Sequence, residues 1–524
     1  MYKILSKKIH SIAGGALVVA VLGIISRLFG VIRDRILAGE FGAGSELDIY
    51  YAAFRIPDLV YNFVIFGAIS AAFIPLFTKL VVDDDAVEYG KNKKAWDFLS
   101  NVINVFSVML IIVCGVLFIF ARPLMSAITP GFTSIEVTAI VLLTRIMFLS
   151  PLLLGISGMI GGVLQVYKRF VIFSLAPIFY NLGIIFGVWW LVPIMGLPGL
   201  AWGVALGAGL HLIIQLPALR RLGYQYRTIF NWRDKNLRSV FVLMLPRVLG
   251  LMASQVNLIV ITIFGSFLAS GTITIFNLAS NLQYFPISLV GISLAVASFP
   301  VLTRKFAQSD DAGFRETLGA TFRLILTAII PISVIFILLK WEIVALVLGT
   351  GEFSAQDIAL TANALALFSV SLFAQALLPL LARAFYARHN TWLPFIVGLL
   401  SAGVNVFLSW LLADAYGVLG LVWAFSSSSI FNFILLFVFL RYHAGNFDDK
   451  ALISTLFKSL TATAGMAVVV VTSQRVIFEL FVLNQLWRIV VATGLLVILA
   501  MVVYVGIGWL LNMKELKEIY KKMI

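Results

Sequence analysis

Charge is scarce in this chain, and so are cysteine and histidine. Asp, Glu, Lys and Arg make up 12% of its 524 residues while 61% are hydrophobic, against roughly a quarter charged and about half apolar in a soluble domain. That balance excludes an ordinary water-soluble globular protein. The single cysteine, Cys114, sits inside an apolar run, so no intrachain disulfide can form and thiol chemistry has no basis. His10, His211, His389 and His443 are scattered without metal-ligand spacing, and there is no Walker A sequence. A metal-dependent or histidine-centred lipid-modifying enzyme, and direct hydrolysis of ATP, therefore find no motif here.

What is present is a series of long apolar runs. Fourteen can be counted, at about 11–37, 49–80, 96–121, 133–166, 170–192, 197–219, 238–265, 272–303, 318–340, 356–386, 392–413, 417–441, 452–474 and 486–511, each near or above the ~20 residues that span a bilayer as a helix. The expected fold is an all-α polytopic membrane protein of about fourteen transmembrane helices. The opening MYKILSKKIH and the apolar SIAGGALVVAVLGII have the order of a signal peptide but no cleavage site follows, which predicts an uncleaved first span. Basic residues fall on alternate connections, among them Lys3, Lys7, Lys8, Lys91, Lys93, Lys94, Arg220, Arg221, Arg227, Arg233, Lys235, Arg304, Lys305, Lys514, Lys517, Lys521 and Lys522. By the positive-inside rule both termini lie in the cytoplasm. The net charge of +14 is thus a topology signal, with membrane lipid headgroups as a secondary partner and nucleic acid as none. The polar stretches 81–95, 221–237, 304–317 and 442–450 read as short loops, and Asp83-Asp84-Asp85 as a solvated loop face rather than a metal site.

An internal repeat organises the runs. AAFIPLFTK (71–79) and VASFPVLTR (296–304) place proline, threonine and a base at the same offsets, and each follows a Gly/Ser-containing turn, FGAGSE (41–46) and FLASGT (267–272). VLQVYKRF (163–170) and ARAFYARH (382–389) form a weaker second pair. Copies six spans apart keep the same orientation, which predicts two pseudo-symmetric six-helix lobes. The boundaries expected are 1–221 for the first lobe, 222–445 for the second and 446–524 for the last two helices and the tail.

The stretch SRLFGVIRDRILAGEFGAGSELDIYYAAFRIPD (26–58) concentrates charge inside the first two spans. Ionisable groups in hydrocarbon cost on the order of 2.5–3.5 kcal/mol each on insertion scales, so they usually face one another or a wet cavity. Arg27 and Asp34 are seven residues apart, as are Asp48 and Arg55, which places each pair within about 20° on one helix face. Gly30 is where a bend would bring Arg33 towards the face of Arg27, and Pro57 should distort the helix beside Arg55. Arg145 and Arg247 add mid-span cations, Arg35 reads as an end anchor and Arg383 as a snorkelling one. Arginine forks match phosphate oxygens, so the expected cargo is a phosphate-bearing anion. A cation exporter would want buried acids, which are few.

These same residues resemble the opening signature of the MurJ (MviN) family, the lipid II flippases of bacterial peptidoglycan synthesis. YFPISLVGISLAVASFP (284–300) and the fourteen-span layout resemble it too. The resemblance implies the fold of the multidrug/oligosaccharidyl-lipid/polysaccharide (MOP) exporters: two lobes around a cationic cavity, plus two C-terminal helices lining a groove for a polyprenyl tail. It implies alternating access without a catalytic step, in the bacterial inner membrane. The cargo would be a polyprenyl-diphosphate-linked sugar lipid, with Arg27, Arg33 and Arg55 on the diphosphate and Asp34 and Asp48 as gate or ion-pair residues. The chain departs from many members at Tyr61 and at Ser280-Asn281, where arginine is common; Asn281, Arg145 and Arg247 complete the expected binding set. No cofactor or metal is expected, and coupling to membrane potential or a monovalent ion would supply direction. A monomer, in contact with other cell-wall synthesis proteins, fits that role. A flippase for another oligosaccharide-lipid, a multidrug or cation exporter and a membrane-embedded lipid-modifying enzyme are the competing readings.

Overall fold

A chain this apolar must satisfy its backbone within each segment, and outside closed barrels only helices do so in lipid. The computed structural model describes residues 12–63, 73–82, 93–480 and 486–517, and every long element among them is helical. Lys3, Lys7, Lys8, Asp83-Asp84-Asp85, Lys91, Lys521 and Lys522 lie outside the described residues. Two compact units divide the chain, Met1–Gly271 and Thr272–Ile524.

The first unit contains α1 (Ile12–Phe41), α2 (Ser45–Asn62), α3 (Ile74–Val82), α4 (Lys93–Ile119), α5 (Ala121–Ile128), α6 (Ser134–Met147), α7 (Leu149–Val166), α8 (Phe170–Phe186), α9 (Val192–Met195), α10 (Pro198–Ile213), α11 (Leu216–Arg221) and α12 (Lys235–Ser266). The second contains α13 (Thr272–Pro286), α14 (Ser293–Ala307), α15 (Asp311–Leu338), α16 (Lys340–Leu348), α17 (Ala355–Val370), α18 (Leu372–Ala387), α19 (Trp392–Tyr416), α20 (Val418–Ala444), α21 (Asp449–Leu480) and α22 (Leu486–Leu510). Wide π-turns at Gly187–Leu191 and Ile287–Ile292 join α8 to α9 and α13 to α14.

Ten described stretches are long and apolar enough to cross a membrane, or eleven with the bent pair α17–α18 taken as one span. The three further spans expected from the sequence fall on α1, on α2 with α3, and on α12. Their described residues are helical, and residues 64–72 lie outside these; α1 and α2 carry the charge cluster, and side chains in the middle of α12 lie outside the described residues. The helices also reach further into polar sequence than the hydropathy suggests. The expected loop 304–317 is largely helix, because Asp310 caps α15 by accepting from the Gly313 N–H at 2.8 Å. The repeat has a local counterpart: Thr78 donates to the Ile74 carbonyl at 2.8 Å and Thr303 to that of Phe299 at 3.0 Å.

Within lipid, helices associate through close packing rather than hydrophobic collapse, and small residues set how near they come. Along α8 and the π-turn that follows it, Gly183 and Gly187 meet Gly207 and Gly203 of α10 so closely that a Cβ at any of these would collide with backbone. In the second unit α21 and α22 attach to α15 by polar rivets. The Tyr504 hydroxyl donates to the Thr327 carbonyl at 2.7 Å, and Glu515 accepts from Arg323 at 3.0 Å and from Thr455 at 2.9 Å. The connection 222–234 is likewise pinned rather than loose. Asn101 exchanges two bonds with the Asn231 backbone, Asn104 donates to the carbonyls of Arg227 and Ile229, and Arg227 pairs with Asp97 at 2.6 Å.

Candidate functional site

The charged helices α1 and α2 are joined by the turn at 42–44, where Gly42 takes a positive φ of 62°. On α1, which runs unbroken through Gly30, the Arg33 guanidinium spans two partners. Its Nε and Nη2 both donate to Asp34 Oδ1, at 3.0 and 2.7 Å, and its Nη1 donates to Asn181 Oδ1 on α8 at 3.1 Å. Asn181 in turn donates to the carbonyls of Pro177 (3.1 Å) and Ser26 (3.4 Å), so a neutral amide fixes the guanidinium and ties α1 to α8.

On α2 five of the polar residues fall at 48, 51, 55, 58 and 62, steps of three and four that lay Asp48, Tyr51, Arg55, Asp58 and Asn62 along one helix stripe. Asp48, 2% exposed, accepts the Gly271 N–H at 2.7 Å. Arg55, 8% exposed, donates from Nε to the Thr262 hydroxyl of α12 at 2.6 Å, and that hydroxyl donates to the Leu258 carbonyl at 3.0 Å. Pro57 leaves the helix intact from Ser45 to Asn62. As a proline it offers no N–H to the Ala53 carbonyl, and the buried Thr144 hydroxyl of α6 donates to that carbonyl at 3.2 Å.

The end of the stripe nearest Asp48 is closed by turns. Gly271 has φ +88°, and a side chain there would strike the Ala43 carbonyl, so the FLASG turn lies directly on the FGAGSE turn. The Gly131 N–H donates to Ser266 at 3.0 Å and Ser45 donates to Glu136 at 2.6 Å. These contacts hold the C-terminal end of α12 against α2 and the turn before α6.

The remaining expected site residues are placed differently. Arg27 is half-buried on α1. Arg145 turns to α4, donating to the Phe118 carbonyl at 3.2 Å with its guanidinium 4.9 Å from the Phe118 ring centre. Arg247 lies on α12, but its side chain is outside the described residues. Asn281 belongs to the second unit, exposed on α13. Sequence reasoning did not single out Asn181, Thr262, Tyr51 or Gly271. A polar residue in an apolar run was the available signal for the first two. The Nε/Nη2 edge of Arg33 is taken by Asp34, while Asn181 and Thr262 orient Arg33 Nη1 and Arg55 Nε; guanidinia placed in this way are groups that phosphate oxygens can bond.

The family model described as Lipid II flippase MurJ matches residues 37–492. The chain is 29% identical over 432 residues to a probable lipid II flippase MurJ of Vibrio cholerae, covering 80% of this chain and 81% of that one. It is 30% identical over 422 residues to the probable lipid II flippase MurJ of Buchnera aphidicola from Acyrthosiphon pisum, with the same coverage. Among solved structures it resembles a lipid II flippase MurJ in an inward closed conformation, with TM-score 0.73, 20% identity and coverage of 94% of this chain and 98% of that one. An inward-facing multidrug resistance MATE transporter of the MOP superfamily matches with TM-score 0.66 and 12% identity over 81% of this chain and 96% of that one. With 456 of its residues (37 to 492) inside one family model, the chain belongs to the lipid II flippase MurJ family.

Proposed function

We propose that this protein moves lipid II, a polyprenyl-diphosphate-linked peptidoglycan precursor, from the cytoplasmic to the outer leaflet of the bacterial inner membrane. The observation that carries the reading is the pair Arg33 and Arg55. Both guanidinia are drawn into the first unit, and each is oriented by a neutral group, Asn181 or Thr262. Arg33 is part-buried and paired with Asp34, and Arg55 is buried; a diphosphate that bridges the two guanidinia adds charge-assisted hydrogen bonds to both. The polyprenyl tail stays in lipid, so only the headgroup needs a polar path. No chemical step is required of the protein, which acts by exposing the site to one leaflet and then the other. Differential contacts with the cargo in those two states set the balance between them. Coupling to membrane potential or a monovalent ion supplies direction, both termini face the cytoplasm, and the working form is a monomer. Arg27, Arg247 and Asn281 are the further residues assigned to cargo.

The test is replacement of the lipid II flippase in a depletable bacterium by this gene, with Arg33→Ala and Arg55→Ala alongside. Wild type should restore growth and both variants should fail at equal membrane abundance. Failure of the wild type, with rescue of a strain lacking a different oligosaccharide-lipid flippase, would reassign the cargo. Full rescue by both variants would remove the arginines from the mechanism.

A further inference from the structure

The stripe on α2 contains one polar group whose position its own unit does not explain. Tyr51 stands three residues after Asp48 and four before Arg55, so its side chain leaves the helix between theirs. Asp48 bonds to Gly271 and Arg55 to Thr262. The Tyr51 hydroxyl is shielded from solvent and has no hydrogen-bond partner among the described residues. Its ring packs edge-on to Tyr50, with centroids 5.5 Å apart, and Asp34, Arg33, Arg55 and Asp48 are its charged neighbours.

Burying a hydroxyl without a partner is destabilising. Phenylalanine would fill the same space at no such cost, and α2 uses phenylalanine three residues later at Phe54. The ring therefore accounts for packing and leaves the oxygen unexplained. Two guanidinia and two carboxylates flank the phenol, and it is a neutral donor that can point its proton at an oxygen of a ligand bound to the arginines.

We infer that the Tyr51 hydroxyl is a substrate-binding group that donates its proton to a phosphate oxygen of the lipid diphosphate. This rests on the reading of the protein as a flippase of polyprenyl-diphosphate lipids. Tyr51 acts beside the arginines: they supply charge, and the phenol supplies a directed bond that fixes the diphosphate along the stripe. It satisfies its own hydroxyl only when cargo is present, so the bond adds to affinity without adding to the stability of the empty protein.

The test compares full-length wild type and Tyr51→Phe in lipid nanodiscs, binding bare polyprenyl diphosphate and the sugar-bearing lipid, with thermal unfolding of each empty protein. Tyr51→Phe should unfold at the same temperature as wild type or higher, and should bind both lipids roughly ten-fold more weakly or worse. Equal affinities, with wild type binding both lipids, would overturn the inference and leave the flippase reading intact. Weakening confined to the sugar-bearing lipid would overturn the phosphate contact. A lower unfolding temperature would show that the hydroxyl has a structural partner, which also overturns it. If wild type binds neither lipid, the flippase reading fails and the inference with it.

Discussion

The carboxylate of Asp48 accepts the backbone N–H of Gly271 at 2.7 Å, across 223 positions of sequence. That bond joins the two Gly/Ser-containing turns of the first unit, and Gly271 seats it with a φ that L side chains rarely adopt and no room for a Cβ beside Ala43. Asp48→Asn keeps an acceptor and should lower the unfolding temperature only slightly. Asp48→Ala strands a buried N–H and should cost about 1–3 kcal/mol. Gly271→Ala should be worse than either, because strain and collision add. Thermal unfolding of the three variants checks this order, and an unaffected Gly271→Ala protein would contradict the turn geometry.

Arg55 is oriented by Thr262 at 2.6 Å. Thr262→Val preserves shape and removes the acceptor, so flipping in proteoliposomes should slow several-fold while the protein stays folded. Arg55→Ala should abolish it, and Arg55→Lys should fall between, since a lysine keeps charge but not the fork. Equal rates for Thr262→Val and wild type would show that the hydroxyl does not position the guanidinium.

Thr144 and Pro57 are coupled through the Ala53 carbonyl. Thr144→Val removes that carbonyl's hydroxyl donor and should cost about 1–2 kcal/mol. In a Pro57→Ala background the helix supplies its own N–H, so the same Thr144→Val change should cost much less. A double-mutant cycle on unfolding free energy measures the coupling, and additive effects would exclude it.

At the start of α15, outside the membrane, Asp310 is held below the usual carboxylate range, first by its bond from Lys305 at 2.6 Å and then by the Gly313 N–H. A depressed folded value means the cap contributes fully above the unfolded aspartate value of about 3.9 and is lost as pH falls through the lower folded value. Hydrogen exchange at residues 313 and 314 should therefore be insensitive to protonation of this cap from pH 7 to 5, once intrinsic exchange is corrected for, and should accelerate only in stronger acid. Asp310→Ala should exchange quickly at every pH.

Much of the candidate site is legible in the sequence as residues and little of it as contacts. Asp48 and Arg55 share a face, as their spacing of seven requires, and Arg33 stands beside Asp34. Arg145 shows the limit of the same reasoning. Its depth in an apolar run fits a cargo site, yet its bond goes to the Phe118 carbonyl, near the end of α4 where carbonyls have no helical N–H. Asn181 and Thr262 sit singly in apolar runs, where one amide or hydroxyl reads equally well as a helix contact.

The sequence by itself determined that the chain is helical and membrane-spanning, that its charge is gathered into the first two spans, and which family it belongs to. Composition and periodicity suffice for the helical, membrane-spanning character, because a backbone in lipid has so few ways to satisfy itself; the family rests on the match over residues 37–492. Only the tertiary structure decided what each charge meets: Arg33 meets Asn181, Arg55 meets Thr262, Asp48 meets a backbone N–H, and the Tyr51 hydroxyl is left without a partner among the described residues. Helical periodicity fixes the face a side chain occupies and not the helix that will face it. A backbone N–H carries no signature in the sequence at all.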